Sequence, residues 1–130
     1  MKNYRKISLI LFCIYVIAVI SLCVIHTEGL PELPKYFLGI PIDKVAHFVM
    51  FFPYIILGYS AFYPTQKGRW RKFAVLGIIY LTGITFAFAT ERLQAATSYR
   101  AYELLDMAAD NVGLLAGGVI IIFFILKTDR

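Results

Sequence analysis

Four long apolar runs dominate the chain and leave it few soluble folds. They are Ile7 to Ile25, Val45 to Tyr63, Phe73 to Ala89 and Val112 to Leu126, the last reaching useful length only if it begins near Met107. A helix needs about 20 apolar residues to cross a bilayer core. The expectation is an all-α integral membrane four-helix bundle, a single domain over residues 1–130, with spans at about 7–25, 45–63, 73–91 and 107–126. Composition agrees: 60% of residues are hydrophobic and 16% charged, against about 45–50% and about 25% in soluble domains. A small soluble domain could not hide that much apolar surface. The first run follows a basic start, Lys2, Arg5 and Lys6, but its 19 residues are long for a signal peptide and no small-residue cleavage site follows. It is expected to be a retained helix. Cys13 and Cys23 lie ten residues apart on that helix, face different sides and have no disulfide or redox role.

The distribution of charge predicts an orientation. With the N-terminus, the 64–72 loop and the C-terminal tail on one side, that side holds nine Lys and Arg residues against four on the other. The positive-inside rule then puts both termini in the cytoplasm (N-in/C-in). Seven of the eight acidic residues and both histidines fall on the outer side. The net charge of +5 is therefore a topology signal, and no nucleic-acid partner is expected. Tyr4 and Trp70 inside, and Tyr36 and Tyr99 outside, suit the aromatic belts of the two interfaces.

A charge at the centre of a span costs about 2.5–3.5 kcal/mol on insertion scales, so charged residues bordering the runs carry the chemistry. The second helix opens P-I-D-K-V-A-H-F. Asp43 is the candidate N-cap and shares a face with His47, Tyr54 and Gly58. The third ends T-E-R-L-Q, with Glu91 and Gln94 one turn apart and Tyr80, Ile84 and Ala87 on the same stripe further in. The fourth carries Glu103, Asp106 and Asp110 on one stripe, continued by Gly113 and Gly117. Small residues spaced by four let helices approach closely, so this stripe is expected to pack on the bundle and point its acids inward. The expected polar pocket at the outer face comprises Asp43, Lys44, His47, Glu91, Gln94, Arg100, Asp106, Asp110 and Asn111.

D-K-x-x-H-F at Asp43–Phe48 resembles the opening motif of VanZ-like membrane proteins, and Glu91, Gln94, Arg100, Asp106, Asp110 and Gly113 resemble their second motif. The similarity spans residues 40–120. Two positions depart from the family pattern: Ser98-Tyr99 stands where Pro-Gly is common, and Asp110, followed by Asn111, where Asn is usual. The resemblance implies a multi-pass protein of the bacterial cytoplasmic membrane that acts on the cell envelope and lowers susceptibility to teicoplanin, a glycopeptide antibiotic.

Several functions fit these residues. As a binding protein, the pocket would hold a lipid headgroup or cell-wall precursor, with Lys44 and Arg100 on phosphate or carboxylate oxygens and Gln94 and Asn111 as neutral partners. As a small membrane enzyme, His47 with Glu91 or Asp106 would be the acid–base pair on a lipid-linked substrate, and Arg100 would stabilise developing charge. As a structural device, the polar pairs would fix helix register alone. A transporter of this size would need an oligomer. One histidine among carboxylates is an oxygen-rich set able to hold a divalent ion, but His26 is distant and the spacing assigns no metal ligands.

Overall fold

The computed structural model describes residues 2–25, 35–64, 68–97 and 103–128. Four long helices form a bundle: α1 (Lys2–Val24), α2 (Ile42–Ala61), α3 (Arg69–Thr97) and α4 (Leu104–Thr128). All four are long and apolar enough to cross a membrane. Helices α3 and α4 extend past their apolar runs at both ends, and α1 and α2 at their N-terminal ends only, because charged and polar residues there continue the same helices. The longest, α3, has 29 residues, a rise of about 43 Å, so it overreaches a hydrocarbon core of about 30 Å.

The only non-helical pairing among the described residues is a small hairpin ahead of α2. Strands β1 (Tyr36–Phe37) and β2 (Ile40–Pro41) pair Tyr36 with Pro41 and Phe37 with Ile40. The turn needs positive φ at both central residues, and Leu38 and Gly39 supply 51° and 79°. Its apolar side chains Tyr36, Phe37, Leu38 and Ile40 are exposed. Residues 26–34 of the preceding loop, with His26, Glu28 and Glu32, lie outside the described residues.

The bundle is built on the contact of α2 with α4. Lipid tails are as apolar as the side chains they meet, so close fit drives helix association in a bilayer. Gly113 and Gly117 provide it: a Cβ at Gly113 would stand 2.5 Å from the Phe48 carbonyl oxygen, and one at Gly117 2.6 Å from that of Phe52. The two backbones touch where any side chain would hold them apart. Phe51, Ile55, Leu114, Ile121 and Ile125 fill the space further along.

The expected stripe on α3 is turned by about one position in its inner half. Ala87 and Glu91 are buried as expected, but Ile79 and Gly83 continue the buried stripe, while Ile84 is exposed and Tyr80 only half-buried. Gly83 sets this rotation, because its bare Cα admits Leu114 of α4. Helix α1 contributes one seam, on which Ser8, Val19 and Cys23 are buried and Phe12, Tyr15 and Val16 half-buried. Tyr15 donates a hydrogen bond to the Met50 carbonyl of α2. That carbonyl adjoins the one at Val49, whose helical donor Pro53 lacks. The remaining face of α1, including Cys13, is exposed apolar surface suited to lipid.

Gly113→Ala should therefore destabilise the bundle by about 1–3 kcal/mol, read as a lower melting temperature in detergent. Gly118→Ala, whose Cβ would meet nothing within 4 Å, should cause no loss. An equal response from both variants would remove the close approach at Gly113 as a determinant of the fold.

Candidate functional site

At one end of the bundle, α2, α3 and α4 bring six of the expected site residues together: Asp43, Lys44, His47, Glu91, Asp106 and Asp110. Helical spacing explains the convergence. Asp106 and Asp110 continue the glycine stripe that presses α4 onto α2. His47 lies on the buried face of α2 beside Phe51 and Tyr54. Glu91 ends the buried stripe of α3.

The inner part of the cluster centres on His47. Its Nδ1 lies 2.8 Å from Asp110 Oδ1 and 3.8 Å from Glu91 Oε1, and its Nε2 lies 3.6 Å from Asp106 Oδ2. All four side chains are buried, Asp110 completely. Only the Asp110 contact is short enough for a hydrogen bond. An ionised carboxylate can only accept, so Nδ1 carries the proton and donates it to Asp110. In the neutral ring, Nε2 then presents its lone pair towards Asp106. Glu91 Oε1 and Asp110 Oδ2 are buried without a hydrogen-bond partner.

The rim is a lysine among acids. Lys44 Nζ donates to Asp43 Oδ2 at 3.0 Å, to Glu103 Oε2 and to Asp106 Oδ1. The ammonium expected to meet an anionic ligand is thus surrounded by three carboxylates of the chain itself. It also draws Glu103 into the cluster. The helical stripe of acids pointed to Glu103, but only the fold shows its pairing with Lys44. Among the described residues, the cations in contact with these five carboxylates are Lys44 and, when protonated, His47. Buried charge is costly unless paired, so this excess of acid must be balanced by protons or by cations.

Two expectations are corrected. Asp43 does not cap α2: Pro41 holds the cap position without a side-chain hydrogen bond, and Asp43 sits in the first turn. There its carboxylate suits the positive end of the helix dipole and reaches Lys44. Asn111 does not join the cluster. It follows Asp110 by about 100° of helix and accepts a 2.6 Å hydrogen bond from the Tyr80 hydroxyl. It lines a separate cavity of about 270 Å³ with Ile84, Ala87, Met107 and Leu114. Gln94 is half-buried one turn beyond Glu91. Arg100, Ser98 and Tyr99 lie outside the described residues.

His47, Glu91 and Asp106 are also arranged as a possible donor set for a metal ion, one ligand atom from each lying within 4.8 Å of the others. A second set, Asp43, Glu103 and Asp106, surrounds the ammonium of Lys44. The fold and site thus define a multi-pass helical membrane protein with a buried histidine–carboxylate cluster at one end. No protein-family model, curated protein or solved structure matches the chain.

The His47–Asp110 contact should be energetically coupled. Removing His47 leaves a fully buried carboxylate without its donor, a loss of the order of 3–5 kcal/mol. His47→Ala should lower the melting temperature in detergent, and Asp110→Asn in the same chain should recover part of the loss. Strictly additive effects of the two substitutions would show that the pair does not act as a unit.

Proposed function

We propose that the chain is a VanZ-like protein of the bacterial cytoplasmic membrane whose polar cluster faces outward and binds or acts on the polar head of a cell-envelope component. The observation that carries this reading is the meeting of His47, Glu91, Asp106 and Asp110 from three helices at one end of an apolar bundle. Ionisable groups in or beside membrane spans mark functional sites by default. These residues also belong to the motifs in which the chain resembles the family. A lipid headgroup or a lipid-linked cell-wall precursor is the ligand class that could approach such a site from the membrane surface. The expected consequence is lower susceptibility to glycopeptides such as teicoplanin.

The orientation rests on the basic residues. Nine of thirteen lie on the N-terminus, the 64–72 loop and the C-terminal tail, which supports cytoplasmic termini and an outward cluster. A fluorescent protein fused at the C-terminus should glow, and alkaline phosphatase fused there should be inactive. The reverse pattern would place the cluster in the cytoplasm and remove access to outer-leaflet precursors.

A second reading, a small membrane enzyme, is favoured by the His47–Asp110 contact. A carboxylate on Nδ1 holds an imidazole in one tautomer and leaves Nε2 to exchange a proton with substrate. Glu91 or Asp106 would be its acid–base partner on a lipid-linked substrate.

Both readings are tested by expressing the wild-type chain and its Glu91→Gln and His47→Ala variants at matched membrane levels in a teicoplanin-sensitive host. The wild type should raise the inhibitory concentration and both variants should lose the effect. No effect of the wild type would withdraw the glycopeptide assignment. Full activity in both variants would reduce the cluster to a structural role.

A further inference from the structure

We propose that the buried cluster is a binding site for a divalent first-row transition cation, held by His47 Nε2, Glu91 and Asp106 and supported by Asp110. The inference goes beyond the choice of envelope ligand. It displaces the acid–base form of the site, because the cation takes the nitrogen that would otherwise carry the exchanged proton.

Three independent features meet here. The first is geometry. The donor atoms come from α2, α3 and α4 and lie within 4.8 Å of one another. Tetrahedral donors about 2.1 Å from zinc stand about 3.4 Å apart, and His47 Nε2 and Asp106 Oδ2 are already separated by 3.6 Å. Glu91 Oε1 lies 3.8 Å from the other ring nitrogen, Nδ1, so its side chain rotates to share an ion with Nε2.

The second is the hydrogen-bond inventory. Glu91 is 2% exposed, yet its Oε1 has no hydrogen-bond partner. With Nδ1 donating to Asp110, Nε2 stands 3.6 Å from Asp106 Oδ2, too far for a hydrogen bond, and once deprotonated it offers a lone pair to a cation. Glu91 Oε1 and, beside it, Asp110 Oδ2 are buried oxygens that lack what a cation supplies. A histidine that ligates a metal commonly donates its other ring nitrogen to a carboxylate, which fixes the ring and raises its basicity. Asp110 stands in that position.

The third is charge. The cluster holds five carboxylates and one lysine, and that lysine sits at the rim, paired with the three carboxylates of the second acidic set. Within the inner set Lys44 reaches only Asp106, through Oδ1, and among the described residues no ammonium contacts Glu91 or Asp110. A divalent ion would remove most of the excess negative charge. It would also give an anionic headgroup a positive partner, a role that Lys44, already held by three carboxylates, does not fill. One imidazole with two carboxylates suits zinc or manganese better than magnesium or calcium, which prefer all-oxygen shells. Three protein donors leave a coordination position for water or a ligand oxygen.

The test uses the full chain, purified in detergent and stripped with a chelator, with no substrate present. Titration with Mn²⁺, counting free ion by its electron paramagnetic resonance signal, should show one ion retained per chain and displaced by Zn²⁺. Glu91→Gln and His47→Ala should each weaken binding at least tenfold. Asp110→Asn should weaken it by about 10–100-fold, as loss of a supporting carboxylate does. Circular dichroism confirms that each variant is folded. A readout on the wild type alone is the melting temperature, which should rise with saturating Mn²⁺ or Zn²⁺. No retained ion, or no thermal shift, overturns the proposal. So does wild-type affinity in Glu91→Gln, or a loss of binding in Glu103→Gln instead, which would move the ion to the rim. Failure of the teicoplanin assay leaves these outcomes unaffected, and a failed metal titration leaves the envelope reading standing.

Discussion

The backbone contact between α2 and α4 is the constraint on which the rest depends. Gly113 and Gly117 bring α4 against the Phe48 and Phe52 carbonyls. That contact sets the rotation of α4 about its own axis, and Asp110 and Asp106 are about one and two turns further along the same stripe. A helix held two or three ångströms further away would leave Asp110 short of His47. The hydrogen bond between them would then be lost, and both groups would be buried without a partner. Packing in the apolar half of the bundle thus holds the polar half in register.

The polar end divides into two electrostatic layers. At the rim, Lys44 gathers Asp43, Glu103 and Asp106 and links the start of α2 to the start of α4. Below it, His47, Glu91 and Asp110 are buried with fewer positive partners. Asp106 belongs to both layers, with Oδ1 on Lys44 and Oδ2 towards His47. A buried set of this kind is poor evidence for stability, since taking charges out of water costs more than most pairs return. The excess of carboxylates over cations is better understood as a site prepared for a charge from outside the chain.

Much of this was legible from residue spacing. The four helices follow from the apolar runs, because a bilayer demands long unbroken apolar helices and tolerates little else. The inward acids of α4 follow from their shared stripe with two glycines. The pairing of tyrosines with protein was also foreseeable: Tyr80 reaches Asn111, as a hydroxyl facing away from lipid must find a partner. Other features were not legible. The cap on α2 falls at Pro41, although Asp43 has the better capping chemistry, because the hairpin turn at Leu38 and Gly39 delivers the chain to the helix two residues earlier. The stripe on α3 is displaced in its inner half because Gly83 accepts Leu114, a contact between residues thirty-one positions apart.

By itself, the sequence determined the class of structure and which residues could meet. Helical period and hydrophobicity are local properties, and they place His47, Glu91, Asp106 and Asp110 at the same end of their helices. Only the tertiary structure decided which atom faces which. It gave Lys44 to three acids of its own chain, turned Asn111 away to Tyr80, and set Asp110 rather than Asp106 or Glu91 on His47 Nδ1. The physical reason is that helix rotation is set by steric fit between distant faces. A turn of one residue, about 100°, is enough to exchange a partner for a neighbour.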